Sequence, residues 1–287
     1  MTRRPPAKKR PRAALTAKTA DLHLLYERSV QSIDVDLDFA DRVYREHRKA
    51  PLRVLREDFC GTAALASNWV RRHPKNRASG VDLHGPTLEW GLKEHVSRMT
   101  PDQQSRLLLL QENVLTAATP PADLVLALNF SYSVFHDRAA LRAYFKAAHA
   151  ALNEKGLLVV DVFGGTESMI AWSEKRHLPA ALTVEGDPIP AFTYMWEQAA
   201  FNVVDHRTVC HIHFKFKDGS VRKKAYTYDW RLWTLPELAE IMVEAGFRKT
   251  VTYLHGWTKD GDSDGHFRKR TRFENAETWL AYVVGVR

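Results

Sequence analysis

Apolar residues fall along this chain in two rhythms. From Leu22 to Tyr44 they recur at helical spacing: Leu22, Leu25 and Tyr26, then Phe39, Val43 and Tyr44. From Leu52 onward, short continuous apolar runs alternate with helical stretches. The run "LRVLRE" (52–57) precedes a helix over about 62–72 with Leu65, Trp69 and Val70 on one side. "ASGVDL" (78–83) precedes a helix that Pro86 opens as a first-turn residue. "LLLLQ" (107–111) and "DLVLAL" (123–128) come next, then a helix from about Asp137 carrying Leu141, Tyr144, Phe145 and Ala148, and a fifth run, "GLLVVDVF" (156–163). Apolar strands separated by helices predict a parallel sheet covered on both faces. Right-handed crossovers make that sheet doubly wound.

Past Gly165 the period changes to two. "FTYMWEQ" (192–198), "TVCHIHFKFK" (208–217) and "VRKKAYTYDWRLW" (221–233) alternate, and "DGS" (218–220) suits a hairpin turn between the last two. Cys210, Ile212, Phe214 and Phe216 share a face of one strand; Tyr226, Tyr228, Trp230 and Leu232 share a face of its partner. The expectation is an antiparallel β insertion over about 166–233. Thr234 and Glu237 then form a capping box ahead of Leu238, Ile241, Met242 and Ala245, with Gly246 placed to stop the helix. "KTVTYL" (249–254) and "TWLAYVVGV" (278–286) complete a mostly parallel α/β sheet of seven strands.

Composition narrows the class. With 45% hydrophobic residues, the 287-residue chain can fill a large core. No apolar run approaches the roughly 20 residues that span a bilayer, and no apolar segment of a signal peptide follows the charged N-terminus. Cys60 and Cys210 make neither a disulfide framework nor a zinc spacing, so a reducing, cytoplasmic setting is expected. The net charge of +8 is mostly local: residues 1–18 hold seven Lys/Arg and no acid, leaving the rest at about +1. Such a Pro/Lys/Arg tail cannot bury a core and is expected to be disordered. Residues 19–51 are expected as a helical lid, and 52–287 as the main domain.

The loop "LREDFCGTAALA" (55–66) has the form of a nucleotide-binding crossover, with Gly61 just before the helix and small residues after it. Asp82 ends the next strand, at the distance that one βαβ unit requires. Alone, the glycine-poor loop is equally a tight strand–helix turn. The order of "VLREDFCGTAALA", "GVDL", "ENVL", "ALNFSYSVF" and "GLLVVDVFGG", with "WTLPELAEIMVEAGF" later, resembles the class I S-adenosylmethionine-dependent methyltransferases over about residues 52–286. Within them it is closest to a branch whose first loop reads "EDFCGT".

The resemblance implies S-adenosylmethionine as cofactor, with Glu57 near its methionine part and Cys60 and Gly61 in the cofactor loop. It further places Asp82 on both ribose hydroxyls, Asn113 at the adenine amine, and Asn129 below the transferring methyl. Phe59 and Ala63 stand where the family has glycine, so Phe59 must point away from the ligand or pack on it. A cofactor without phosphate needs no nest of bare amides, which makes such a loop acceptable.

The acceptor is expected to be a small molecule, methylated on N or O. "NFSYSVF" lacks the Asp/Asn/Ser-Pro-Pro-aromatic pattern of amide and adenine N-methylation, and no Pro-Cys or Thr-Cys nucleophile for pyrimidine carbon is present. An RNA or protein acceptor held by the basic tail, and a non-catalytic binding protein on the same fold, remain as alternatives. Tyr132 is a candidate for a hydrogen bond near the methyl or for packing at a helix start. Tyr26 either reaches the cofactor from the lid or joins the core. Arg231 either clamps a substrate carboxylate or pairs with Asp229. Tyr194, Trp196, Tyr226, Tyr228 and Trp230 are either core or aromatic walls for a cation. His211 and His213 are read as solvent-facing, and the segment 259–267 lacks the bidentate Glu of a calcium loop, so no metal site is expected.

Overall fold

The structure, a computed structural model, describes residues 15–183, 186–259 and 263–287. The first fourteen residues of the expected tail lie outside that range. Five parallel strands, β1 (Val54–Asp58), β2 (Arg77–Asp82), β3 (Leu107–Gln111), β4 (Ala122–Ala127) and β5 (Leu152–Gly164), form the heart of the main sheet. The insertion contributes β6 (Trp172–Leu178), the short pair β7 (Ala181–Leu182) and β8 (Pro188–Ile189), then β9 (Phe192–Phe201), β10 (Arg207–Lys215) and β11 (Val221–Arg231). The chain returns through β12 (Lys249–Leu254), a two-residue β13 (Arg268–Lys269) and β14 (Trp279–Val286). The main sheet runs β13-β12-β14-β5-β4-β1-β2-β3, with β14 antiparallel between β5 and β12. The seven expected strands are present, and β13 adds a short eighth at the edge.

Among the described residues seven α-helices accompany them: α1 (Leu22–Val30), α2 (Ile33–Arg48), α3 (Ala64–Arg72), α4 (Gly85–Glu94), α5 (Pro101–Ser105), α6 (Arg138–Ala150) and α7 (Leu235–Glu244). β5 shows why both sheet faces need helices. Leu157 and Val159 join the core under α2 and α3, while Leu158, Val160 and Val162 join the core under α6 and α7. α7 begins as its sequence dictates: Thr234 Oγ1 accepts from the Glu237 amide, and Glu237 reaches back to the Thr234 amide. Gly246 takes φ +113°, where a side chain would strain the backbone.

The segment expected as one lid is two helices with different partners. α2 lays Leu37, Ala40, Val43 and Tyr44 on the main sheet. α1 instead packs Leu25 against Phe192, Tyr194, Ile212 and Phe214 of the insertion. Residues 15–18, expected in the tail, are described here: Ala17 donates its amide to Ser220 Oγ at 3.0 Å. The insertion is a four-stranded sheet, β11-β10-β9-β6. Its edge strand β6, "WSEKRHL", went unread because charges on both faces hide its alternation. His211 and His213 are not solvent-facing. They are buried, bonded to Thr227 Oγ1 and Glu197 Oε2 at 3.0 and 2.9 Å. Among the described residues no helix is long and apolar enough to cross a membrane.

Leu25→Ala tests how α1 is held. Removing this fully buried side chain is expected to cost about 2–5 kcal/mol. Limited proteolysis should then cut near α1 before the main sheet unfolds; unchanged protection would contradict the packing.

Candidate functional site

The strand order reverses between β1 and β4, the place where open α/β sheets form a crevice at their carboxyl ends. Four loops meet there. After β1, Phe59, Gly61 and Ala63 have φ of +57°, +53° and +55°. Every second residue is therefore left-handed, although two carry side chains and cost about 1–2 kcal/mol each for it. Phe59 bears this because its ring turns out of the crevice, 5.5 Å from Tyr144 and 6.1 Å from Phe135. A side chain at Gly61 would have space, with Thr87 Cγ2 at 3.9 Å, so its glycine answers to backbone conformation alone.

Asp82 fastens that loop. One carboxylate oxygen accepts the Gly61 amide at 2.8 Å, the other the His84 amide at 2.8 Å. Each oxygen keeps a further lone pair for a hydroxyl. Asn113 lies beyond, exposed, with its side-chain oxygen accepting from the Leu115 amide at 3.0 Å. Leu83, 65% exposed, presents an apolar surface beside Asp82, and sequence reading had passed over it. Cys60 does not face the crevice. Its side chain is 1% exposed and packs against Gly80, where an added Cβ would lie 2.9 Å from its sulfur. Burial and the nearby Glu57 push its thiol well above the usual range.

Glu57 is buried, and its Oε2 accepts the Ala66 amide at 2.9 Å. This caps α3, whose own N-cap residue, Ala63, has no oxygen to offer. Desolvation, opposed by that hydrogen bond and assisted by Asp82 and Asp36, pushes Glu57 up to about 8. Asp161 on β5 was missed. Its two oxygens accept the Asn129 and Phe130 amides at 2.8 and 2.9 Å, fixing two left-handed residues at φ +56° and +57°. Burial pushes Asp161 to about 8 as well. Asp36 on α2, half-buried and accepting from the Tyr282 hydroxyl, rises to about 6 through desolvation. Among the described residues no cation is a leading cause of any of the three shifts. An acid inside the apolar run "VVDVF" was the available signal, since a buried charge demands a partner.

Beyond Asn129 the crevice continues into a cavity of about 200 Å³ under the insertion. Tyr26, Phe130, Tyr194, Trp196, Tyr228 and Trp230 wall it. Tyr228 and Trp230 stack at 4.3 Å between centroids, and Phe130 meets Trp230 edge-on at 6.0 Å. Tyr226 is not among the lining residues; its ring sits 4.9 Å from Tyr26 in the packing behind them. Burial raises the Tyr26 hydroxyl to about 12.

Two expected residues lie outside the cavity. Tyr132 is 2% exposed and donates its hydroxyl to the Asp161 carbonyl at 2.9 Å. Arg231 stacks 3.8 Å over Trp233, donates to the His136 carbonyl at 3.0 Å, and meets Glu237 at 3.3 Å. Alternation sends it to the face opposite Trp230, and Asp229 pairs with Arg207 instead. The lid is latched to the loop: Glu27 Oε1 accepts Thr62 Oγ1 at 2.5 Å and contacts His95 Nε2 at 2.7 Å. Among the described residues no group of three or more His, Cys, Asp or Glu is placed to hold a metal ion.

No family model matches the chain, and no curated relative does. Solved structures share its fold. An S-adenosylmethionine-dependent methyltransferase from Clostridium acetobutylicum is 16% identical, with TM-score 0.63 over 92% of this chain and 96% of that one. The amino pentose methyltransferase CalS10 from Micromonospora echinaspora is 15% identical, with TM-score 0.62 over 91% and 95%. The sugar N-methyltransferase KedS8 from a Streptoalloteichus species is 18% identical, with TM-score 0.61 over 100% and 99%. The chain therefore has the class I methyltransferase fold: a mostly parallel central sheet with an extra antiparallel sheet.

The raised acids make stability depend on pH. An acid whose folded pKa lies near 8, against an ordinary value near 4, binds its proton more tightly when folded. Its contribution is full below about pH 4 and is lost as pH rises through 8. Urea midpoints of the ligand-free protein should fall from pH 5 to 9, and Glu57→Gln with Asp161→Asn should flatten the slope. Parallel profiles for wild type and variant would contradict the assignment.

Proposed function

We propose that the protein is an S-adenosylmethionine-dependent methyltransferase acting on a small-molecule acceptor. The observation that carries this reading is Asp82 holding the Gly61 and His84 amides at the mouth of the crevice. It leaves a carboxylate aimed at a diol, next to a left-handed loop that lets the ligand approach the backbone. The residues fit the group in a second respect. Among the described residues Glu57, Asp161 and Asp36 have no cationic partner, and this cofactor carries an ammonium and a sulfonium. When bound, it supplies an electrophilic methyl group.

The chain's own residues do the rest. Asp82 would take the ribose hydroxyls, Asn113 the adenine amine, and Glu57 the side of the methionine part. Asp161 acts at one remove: by holding the Asn129 and Phe130 amides it fixes the loop at the entrance to the aromatic cavity. Tyr26, carried by α1, closes that cavity from the lid side. Tyr132 supports Asp161 from behind, and Arg231 braces the junction of β11 with α7. The insertion at about 166–233 forms the acceptor's roof, and "EDFCGT" is a variant first loop whose phenylalanine packs outward. Methyl transfer requires an acceptor lone pair in line with the breaking bond in a dry pocket, so the catalytic demand is chiefly for positioning.

Calorimetry with S-adenosylhomocysteine tests the reading. Wild type should bind it. Asp82→Ala removes charge-assisted bonds to two hydroxyls, worth about 1.5–3 kcal/mol each, and should weaken binding at least about a hundredfold. Asp82→Asn, which keeps one acceptor for the Gly61 amide, should lie between. Urea midpoints of both variants guard against loss of fold. No binding by wild type would contradict the proposal.

A further inference from the structure

The walls of the aromatic cavity bear on the chemistry of the acceptor. We infer that it is an amine that enters as an ammonium ion and leaves as a methylated ammonium ion, held among Tyr26, Phe130, Tyr194, Trp196, Tyr228 and Trp230. This rests on the methyltransferase reading and deepens it.

Three observations converge. First, aromatic faces attract a desolvated cation, and Trp faces do so best. Trp196, Tyr228 and Trp230 stand within 6.2 Å of one another in one wall, and Phe130, on the loop after β4, meets Trp230 edge-on. Second, the cavity offers nothing to an anion. Among its described lining residues only Glu174 is charged. Arg176, outside that lining, meets Glu174 at 3.3 Å, stacks 4.6 Å over Tyr194 and donates to the Ser29 carbonyl. A carboxylate acceptor would be repelled, and Arg231, which was a candidate to clamp one, faces away.

Third, a hydroxyl acceptor needs a base, and the cavity is poor in them. No histidine is among its described lining residues. Tyr26 holds its proton, and Glu174 is engaged with Arg176. An amine needs no strong base, because entry into an apolar cavity itself weakens the hold of the nitrogen on its proton. That proton leaves to water on the side of Glu174, whose side chain is 40% exposed. The freed lone pair forms the N–C bond as the S–C bond breaks, and the S–C electron pair stays on sulfur as a neutral thioether. The nitrogen ends with one more methyl and a positive charge, which the same rings continue to hold.

The test uses choline and its neutral isostere 3,3-dimethylbutan-1-ol as probes, added to the full-length protein saturated with S-adenosylhomocysteine. Tryptophan fluorescence reports binding, and calorimetry on the same samples reports the homocysteine ligand. Choline should bind at least tenfold more tightly than the isostere. Trp230→Leu should abolish that preference, whereas Trp230→Phe should keep most of it. Equal binding of the two probes, or preference for the neutral one, overturns the amine inference while cofactor binding persists. Loss of preference in Trp230→Phe and Trp230→Leu alike, with cofactor binding intact, removes the cage from the account. If wild type fails to bind S-adenosylhomocysteine, the cofactor reading falls, and this inference falls with it.

Discussion

Glu57 and Asp161 are carboxylates taken out of water, with no lysine or arginine paired to them among the described residues, and much of the site follows from that constraint. Burial of an isolated charge is costly enough that the group keeps its proton instead. What offsets the cost here is backbone. Glu57 takes an amide from the first turn of α3, and Asp161 takes two from the loop after β4. Each acid therefore builds the crevice twice over. It fixes a strand-to-helix loop, and it holds a proton that it can give up when a cation binds.

The contrast with Arg56 and Asp58 is instructive. They lie on the same strand, one residue out of phase with Glu57, and so face the other side of the sheet. Arg56 meets Asp58 at 2.7 Å and also donates to the Val114 and Ala117 carbonyls and to Thr119, while Tyr144 donates to Asp58 at 3.0 Å. That pair is closed upon itself. The acids on the crevice side are open, and charge lacking a counterpart on one face alone distinguishes a binding surface from a structural ion pair.

The sheet was legible in the sequence because its strands are apolar on both faces, and a parallel sheet leaves such runs no other place. The loop at Gly61 and the carboxylate at Asp82 were legible through their separation along one βαβ unit, and the structure joins them by a 2.8 Å hydrogen bond. Three things were not. β6 carries Glu174, Lys175 and Arg176 at an edge, so its polar content masked its period. The partner of α1 is the insertion, more than 160 residues away in sequence, and helical spacing says only that a face is buried, not against what. Asp161 and Arg231 show the same limit from two sides. One lay unremarked inside an apolar run and holds the entrance to the cavity. The other was expected either to clamp a substrate carboxylate or to pair with Asp229, and it meets Glu237 and Trp233 instead.

Calorimetric proton release on S-adenosylmethionine binding addresses the open carboxylates most directly. At pH 7, acids held near 8 are mostly protonated, and a bound cation should make them release protons. Titrations in buffers of differing ionisation enthalpy should therefore give a net release approaching one proton or more, reduced in Glu57→Gln. Binding with no proton release, or with uptake, would contradict the account.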